Sequence, residues 1–174
     1  SEALSIYLRG VLAQKKQFLK NLDQIIFRLN KVRDSLYMRK SNILIVEITH
    51  TLANTCEALI KIDSSFKRKA AEESGNLAWY LFFVTDYPGA QAAAEKGIHI
   101  DSTQVWINTK LALSFLYQGN LPKAKEIYQK LKGQPYKDQR KTYREVFLQY
   151  LDDLEKEGIT HPDVKKVRKF LQKK

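Results

Sequence analysis

Cysteine is nearly absent from this 174-residue chain. Cys56 stands alone, so no internal disulfide can form, and its apolar helical surroundings suit a buried, inert thiol. Glycine is missing between Gly10 and Gly75, and no proline precedes Pro88. That excludes a turn-rich architecture in the first half and leaves room for long helices. No G-x-x-x-x-G-K-[ST] loop cradles phosphate, and His99 and His161 have no second ligand at metal-binding spacing. Neither a metal nor a cofactor is expected. The longest apolar run, Leu77 to Val84, falls far short of the roughly 20 residues of a membrane span, so no transmembrane segment is expected. The chain opens at Ser1 with no signal-peptide pattern and reads as a trimmed fragment. A cytoplasmic location is favoured, and a periplasmic one follows if a signal peptide has been removed.

What is present in excess is positive charge, a net +11, and it is unevenly spread. Residues 1–41 hold nine Lys/Arg against three Asp/Glu, residues 42–121 six against eight, and residues 122–174 fifteen against eight. Two basic ends flank a near-neutral middle. Such ends attract acidic protein surfaces, phosphate or anionic membranes.

The first 75 residues are patterned for helices. Leu4, Leu8, Val11, Lys15, Phe18, Leu22, Ile25, Leu29, Val32 and Leu36 alternate in steps of four and three, a heptad seam with one polar member. Leu12, Leu19, Ile26 and Phe27 widen it. A second seam runs through Ile45, Ile48, Leu52, Thr55, Leu59, Ile62 and Phe66. The polar link between them, with Ser41 or Asn42 as cap, predicts a long, coiled-coil-like antiparallel helical hairpin over residues 1–73. Such a hairpin also suits a homodimer.

Further on, the chain repeats itself. "TDYPGA" at 85–90 and "GNLPKA" at 119–124 lie 34 residues apart. At that offset Leu77 falls on Leu111, Ala78 on Ala112, Leu81 on Phe115, Asp86 on Asn120, Pro88 on Pro122 and Ala90 on Ala124. Gly119 can end one helix in a left-handed conformation, Asn120 can cap the next, and Pro122 fits its first turn. Ala124 allows two helices to cross closely. Ser102 reads as the cap of the helix after the first repeat. Tyr143, Val146, Phe147, Tyr150, Leu151 and Leu154 mark a further helix stopped by Gly158. Thr160 or His161 with Pro162 then opens a last one carrying Val164, Val167, Phe170 and Leu171.

Period and residue types together resemble the tetratricopeptide repeat, a 34-residue helix–turn–helix unit, over about residues 76–173. The resemblance implies a repeat domain over 74–174, about three helix pairs with the last capping the stack. The ending "KEGITHPDV" is similar to the tails of bacterial repeat proteins, which implies the C-terminal part of a larger bacterial-type protein. In this family the first helix of each pair lines a concave groove. By register the groove-facing residues are Trp79, Phe82, Phe83, Trp106, Thr109, Leu113, Leu116 and Tyr117, and a rival reading covers them with neighbouring helices. The subtype that grips acidic C-terminal tails is not expected, because Gly75, Trp79 and Lys110 replace its Lys and Asn residues.

The expected protein is all-α and non-catalytic, an adaptor, scaffold or regulatory module holding a protein or peptide partner in that groove. A second reading places nucleic acid or an anionic surface against Lys137, Arg140, Lys141 and Arg144, which accompany Tyr136 and Tyr143. A third rests on "HTLANTC" at 50–56, which faintly resembles the histidine phosphotransfer signature and would make His50 a phosphoryl carrier. Ala53 and Asn54 stand where that signature has Lys and Gly. Asp152, Asp153 and Glu155 read as a solvated acidic face.

Overall fold

The computed structural model describes residues 2–137 and 140–172, with side chains from residue 5 onward. The Leu4 side chain that opens the first seam, and Lys173 and Lys174 of the basic tail, lie outside the described residues. The described residues form an all-α fold with eight α-helices: α1 (Glu2–Met38), α2 (Asn42–Ile60), α3 (Lys67–Leu81), α4 (Tyr87–Ile100), α5 (Asn108–Tyr117), α6 (Leu121–Leu131), α7 (Tyr143–Lys156) and α8 (Val164–Gln172). Single 3-10 turns at Ser64–Phe66, Phe82–Val84 and Val105–Ile107 adjoin α3 and α5. The chain divides into two compact units, residues 1–41 and 42–174.

The first unit is α1, 37 residues long. Its heptad positions Leu8, Val11, Phe18, Ile25 and Val32 are exposed, as are Leu12 and Phe27. The helix ends in a Schellman motif. Lys40 takes a left-handed φ of 56°, its N–H bonds to Tyr37 O at 3.0 Å, and the Ser41 N–H reaches Leu36 O at 3.1 Å.

In the second unit α2 packs along α3. Ile45, Thr49, Leu52, Ala53, Cys56 and Leu59 are buried, one side of the helix, and Thr49 satisfies its hydroxyl on Ile45 O at 2.7 Å. Thr55 and Ile62, members of the second seam, are exposed. The sequence pattern places a division at residues 73/74; the compact units divide at 41/42, with α2 packed in the same unit as α3. By length and composition alone α2 is the one described helix that could cross a membrane, a property shared with core helices.

The repeat is drawn in hydrogen bonds. After α3, Thr85 N–H bonds to Phe82 O at 3.1 Å and Asp86 N–H to Leu81 O at 3.0 Å. Exactly matching positions recur after α5, where Gly119 N–H bonds to Leu116 O at 2.9 Å and Asn120 N–H to Phe115 O at 2.8 Å. Thr85 (φ 59°) and Gly119 (φ 78°) are both left-handed. Asp86 then caps α4 through the Gly89 N–H at 2.8 Å, and Asn120 caps α6 through the Lys123 N–H at 3.3 Å. Ala90 and Ala124 have no exposed surface, so the helices of each pair meet at a small residue.

Between the pairs the expected cap is replaced. Ser102 is exposed, and Asp101 organises the turn by accepting from Thr103 N at 3.0 Å, Thr103 Oγ1 at 2.6 Å and Gln104 Nε2 at 3.0 Å. An aspartate held by three donors stays ionised, and its carboxyl is pulled below the usual range, chiefly by the Thr103 side chain. Gln104 in turn accepts from the Trp106 indole at 3.1 Å. Gly75 makes space for that indole: a Cβ there would lie 2.7 Å from the Trp106 ring.

The third pair departs from the 34-residue spacing. A longer connection leads from α6 to α7, with an isolated bridge between Pro135 and Thr142. Thr142 and Glu145 make a reciprocal capping box for α7. Gly158 (φ 77°) ends α7 with the same motif, and His161 Nδ1 accepts from the Asp163 N–H before α8. Arg168 ties α8 to α7 through Asp152 and Glu155, both at 2.7 Å. The core of the pairs runs through Ala78, Phe82, Leu113, Leu116, Tyr128, Phe147, Leu151 and Leu171.

Candidate binding site

Helices α3, α5 and α7, the 3-10 turn before α5 and residues 136–137 border an open cleft of about 410 Å³ lined by Glu72, Asn76, Trp79, Trp106, Lys110, Tyr136, Lys137 and Tyr150. Each wall follows from helical register. On α3, Glu72, Asn76 and Trp79 stand four and three residues apart, one stripe of the helix. Lys110 projects from α5 one residue after buried Thr109, whose hydroxyl bonds to Trp106 O at 2.7 Å. Tyr150 comes from the middle of α7.

Lys110 is 3% exposed. Its Nζ lies 3.2 Å from the Tyr150 ring centroid and 4.6 Å from that of Trp79, and those rings lie 4.9 Å apart. Aromatic faces attract an ammonium, which offsets part of its lost hydration. No carboxylate among the described residues forms an ion pair with it. Burial therefore pushes its pKa well down, Lys137 adds repulsion, and Asp153 opposes both. Lys137 Nζ sits 3.8 Å over Trp106 and is also pulled down by desolvation, with Glu72 acting the other way. Glu72 accepts from Arg68 at 3.0 Å. Burial raises the Tyr150 hydroxyl, with Tyr136 and Thr109 in hydrogen-bonding reach.

The groove assigned by register is mostly interior. Phe82, Trp106, Thr109, Leu113, Leu116 and Tyr117 are buried, and only Trp79 and Phe83 are half-buried. Phe82 and Tyr117 meet edge to face at 5.6 Å, and the Tyr117 hydroxyl donates to Ile159 O at 3.1 Å. The reason is the third pair and the connection before it, which cover this face. Trp79 and Trp106 alone of the eight line the cleft. Lys110, Tyr136 and Tyr150 were not read as groove residues. The available signal was Lys110 itself, a lysine inside an otherwise apolar stretch.

Of the basic quartet, Lys137, Arg140 and Lys141 line one depression of about 500 Å³ with Tyr136 and Tyr150, and Arg144 is not part of its lining. Lys137 leans on Trp106, Lys141 donates to Gln149 at 2.9 Å, Arg140 is exposed, and Arg144 is half-buried with its Nε inside and unbonded. Tyr136 and Tyr143 meet edge to face at 5.1 Å. His50 is exposed and 3.3 Å from Asn54 Nδ2. It borders a separate apolar depression of about 310 Å³ with Val46, Leu77, Asp86 and Lys96. Lys96 is ion-paired with Glu57. Among the described residues no cluster of His, Cys, Asp and Glu could hold a metal ion. Comparison of the chain with protein-family models, with curated proteins and with solved structures returned no match.

Proposed function

We propose that this chain is a non-catalytic interaction module that holds a protein or peptide partner on the face where α3, α5 and α7 meet. The supporting observation is the cleft itself: four aromatic side chains and two lysines converge there. Aromatic side chains with a polar handle are the usual anchors of protein interfaces. The stacking of helix pairs related by a 34-residue offset fits tetratricopeptide-like scaffolds, whose inner helices serve this purpose.

The test is retention of a partner from the source cell by the immobilised chain, repeated with Trp79→Ala and with Lys137, Arg140, Lys141 and Arg144 neutralised together. A partner lost with Trp79→Ala, circular dichroism being unchanged, supports the cleft. A partner indifferent to Trp79 but lost from the neutralised variant transfers the function to the charged surface, where nucleic acid is the competing ligand.

A second reading attaches to α1. Its exposed heptad residues suit pairing with a second copy, which sedimentation over a range of concentrations checks. With nine Lys/Arg against three Asp/Glu in residues 1–41, each copy carries a net positive charge that repels the other, so the association strengthens with salt.

A further inference from the structure

We propose that the Lys110 cleft binds one carboxylate, carried on the side chain of a glutamate or aspartate of the partner. The inference rests on the reading of the cleft as a partner site and specifies what enters it. Lys110 lines the cleft with neither a carboxylate nor a hydrogen-bond partner among the described residues, an incomplete arrangement for an ammonium on so buried a side chain, since such charges are otherwise paired. The rings of Tyr150 and Trp79 hold it in place but supply no counter-charge. An anion entering the cleft does.

The walls select which anion. Glu72 stands at the lining and repels a doubly charged phosphate more than a single carboxylate. Four of the eight lining residues are aromatic, Trp79, Trp106, Tyr136 and Tyr150, and they offer flat faces to the methylenes of an anion's side chain. Lys137 adds a second cation on the same side. Depth selects the source. Lys110 lies at 3% exposure, so a terminal carboxylate would have to bring its backbone between the rings. An acidic side chain reaches the floor while its backbone stays outside, and its methylenes lie against the aromatic walls.

Binding then carries a proton. A carboxylate pairs with the charged form of Lys110, so the complex raises the pKa that burial has lowered. Affinity for an acidic peptide is greatest below the pKa of the empty site and falls as pH rises through it. The charged and titratable groups around Lys110 are Glu72 with its Arg68 partner on α3, Lys137 and Tyr136 on the connection, and Tyr150 and Asp153 on α7.

The chain's only two tryptophans both line the cleft, so intrinsic fluorescence reports its occupancy. Three probes decide the matter: Ac-Ala-Leu-Glu-Leu-Ala-NH2, its Gln analogue, and the Gln analogue with a free C-terminal carboxylate. The Glu peptide is expected to bind about tenfold more tightly than the amidated Gln peptide, a charge-assisted contact's worth. Lys110→Met should bring that ratio to about one while the thermal midpoint rises, a combination that a merely structural lysine would not give. The ratio should decline with rising pH in the wild type and stay flat in Lys110→Met. Equal responses to the Glu and Gln peptides, no response to either, or a preference surviving in Lys110→Met would overturn the proposal. Tighter binding of the free-terminus peptide than of the Glu peptide would overturn the side-chain source. A Trp79-dependent partner that lacks any such acidic preference would leave the cleft as the interface and remove only the carboxylate.

Discussion

The pairs α3–α4 and α5–α6 are two versions of one design, and their agreement is confined to particular positions. Helix ends, capping residues and contact alanines coincide at an offset of 34: Thr85 with Gly119, Asp86 with Asn120, Ala90 with Ala124. Elsewhere the same offset joins unlike residues. Trp79 lies on the cleft, and its counterpart Leu113 is wholly buried. Asn76 and Lys110 are counterparts that both line the cleft, one neutral and one cationic. What recurs builds the frame, and what fails to recur furnishes the site.

The severest way to break the comparison is at the shared contact. Ala90→Leu and Ala124→Leu should each cost about 1–3 kcal/mol in chemical denaturation, because both methyls are fully enclosed. A large cost at one and none at the other would show that the two crossings are not equivalent.

The unshared position should behave in the opposite sense. Lys110→Met removes a buried unpaired ammonium and is expected to stabilise the free protein by about 1–2 kcal/mol. Asn76→Met, whose amide donates to Glu73 at 3.3 Å, should give no gain.

Smaller effects are expected at the helix ends. Thr85 is a β-branched residue at φ 59°, a conformation costing about 1–2 kcal/mol for residues with a Cβ. After the added freedom of glycine in the unfolded chain is counted, Thr85→Gly should stabilise by about 0.5–1 kcal/mol and Gly119→Thr should destabilise by about the same.

The smallest signal is a slope with pH. Burial makes Lys110 titrate lower in the folded chain than an ordinary lysine. Between its folded and unfolded pKa the unfolded chain binds the extra proton, so stability rises with pH across that window. Lys137 contributes in the same direction. The Tyr143 and Tyr150 hydroxyls, raised by burial, act oppositely at and above the ordinary tyrosine range. Subtracting the Lys110→Met curve from the wild-type curve isolates Lys110, and an unchanged slope would contradict its burial.

Much of the frame was legible because it depends on neighbours in sequence. A left-handed end at Gly119, the Asn120 cap and the small Ala124 are local devices, and the sequence states them directly. The α3–α8 helices were accordingly readable from spacing. The interior of the groove was not. Register along one helix tells which side faces inward, and it cannot tell what lies against that side. The connection between α6 and α7, without helical period in its sequence, brings Lys137 over Trp106 and Tyr136 to the cleft lining, a long-range outcome hidden from local pattern. The same limit explains α2: its apolar seam was evident, but its packing along α3 was decided by tertiary contacts.

Cys56 has no exposed surface on the side of α2 that is packed within the larger unit. As the sole thiol, it is a built-in clock. A thiol-specific reagent can modify it only during moments when α2 lifts away or the unit unfolds. The labelling rate, measured against denaturant, therefore distinguishes fraying of one helix from loss of the entire stack, without any engineered reporter.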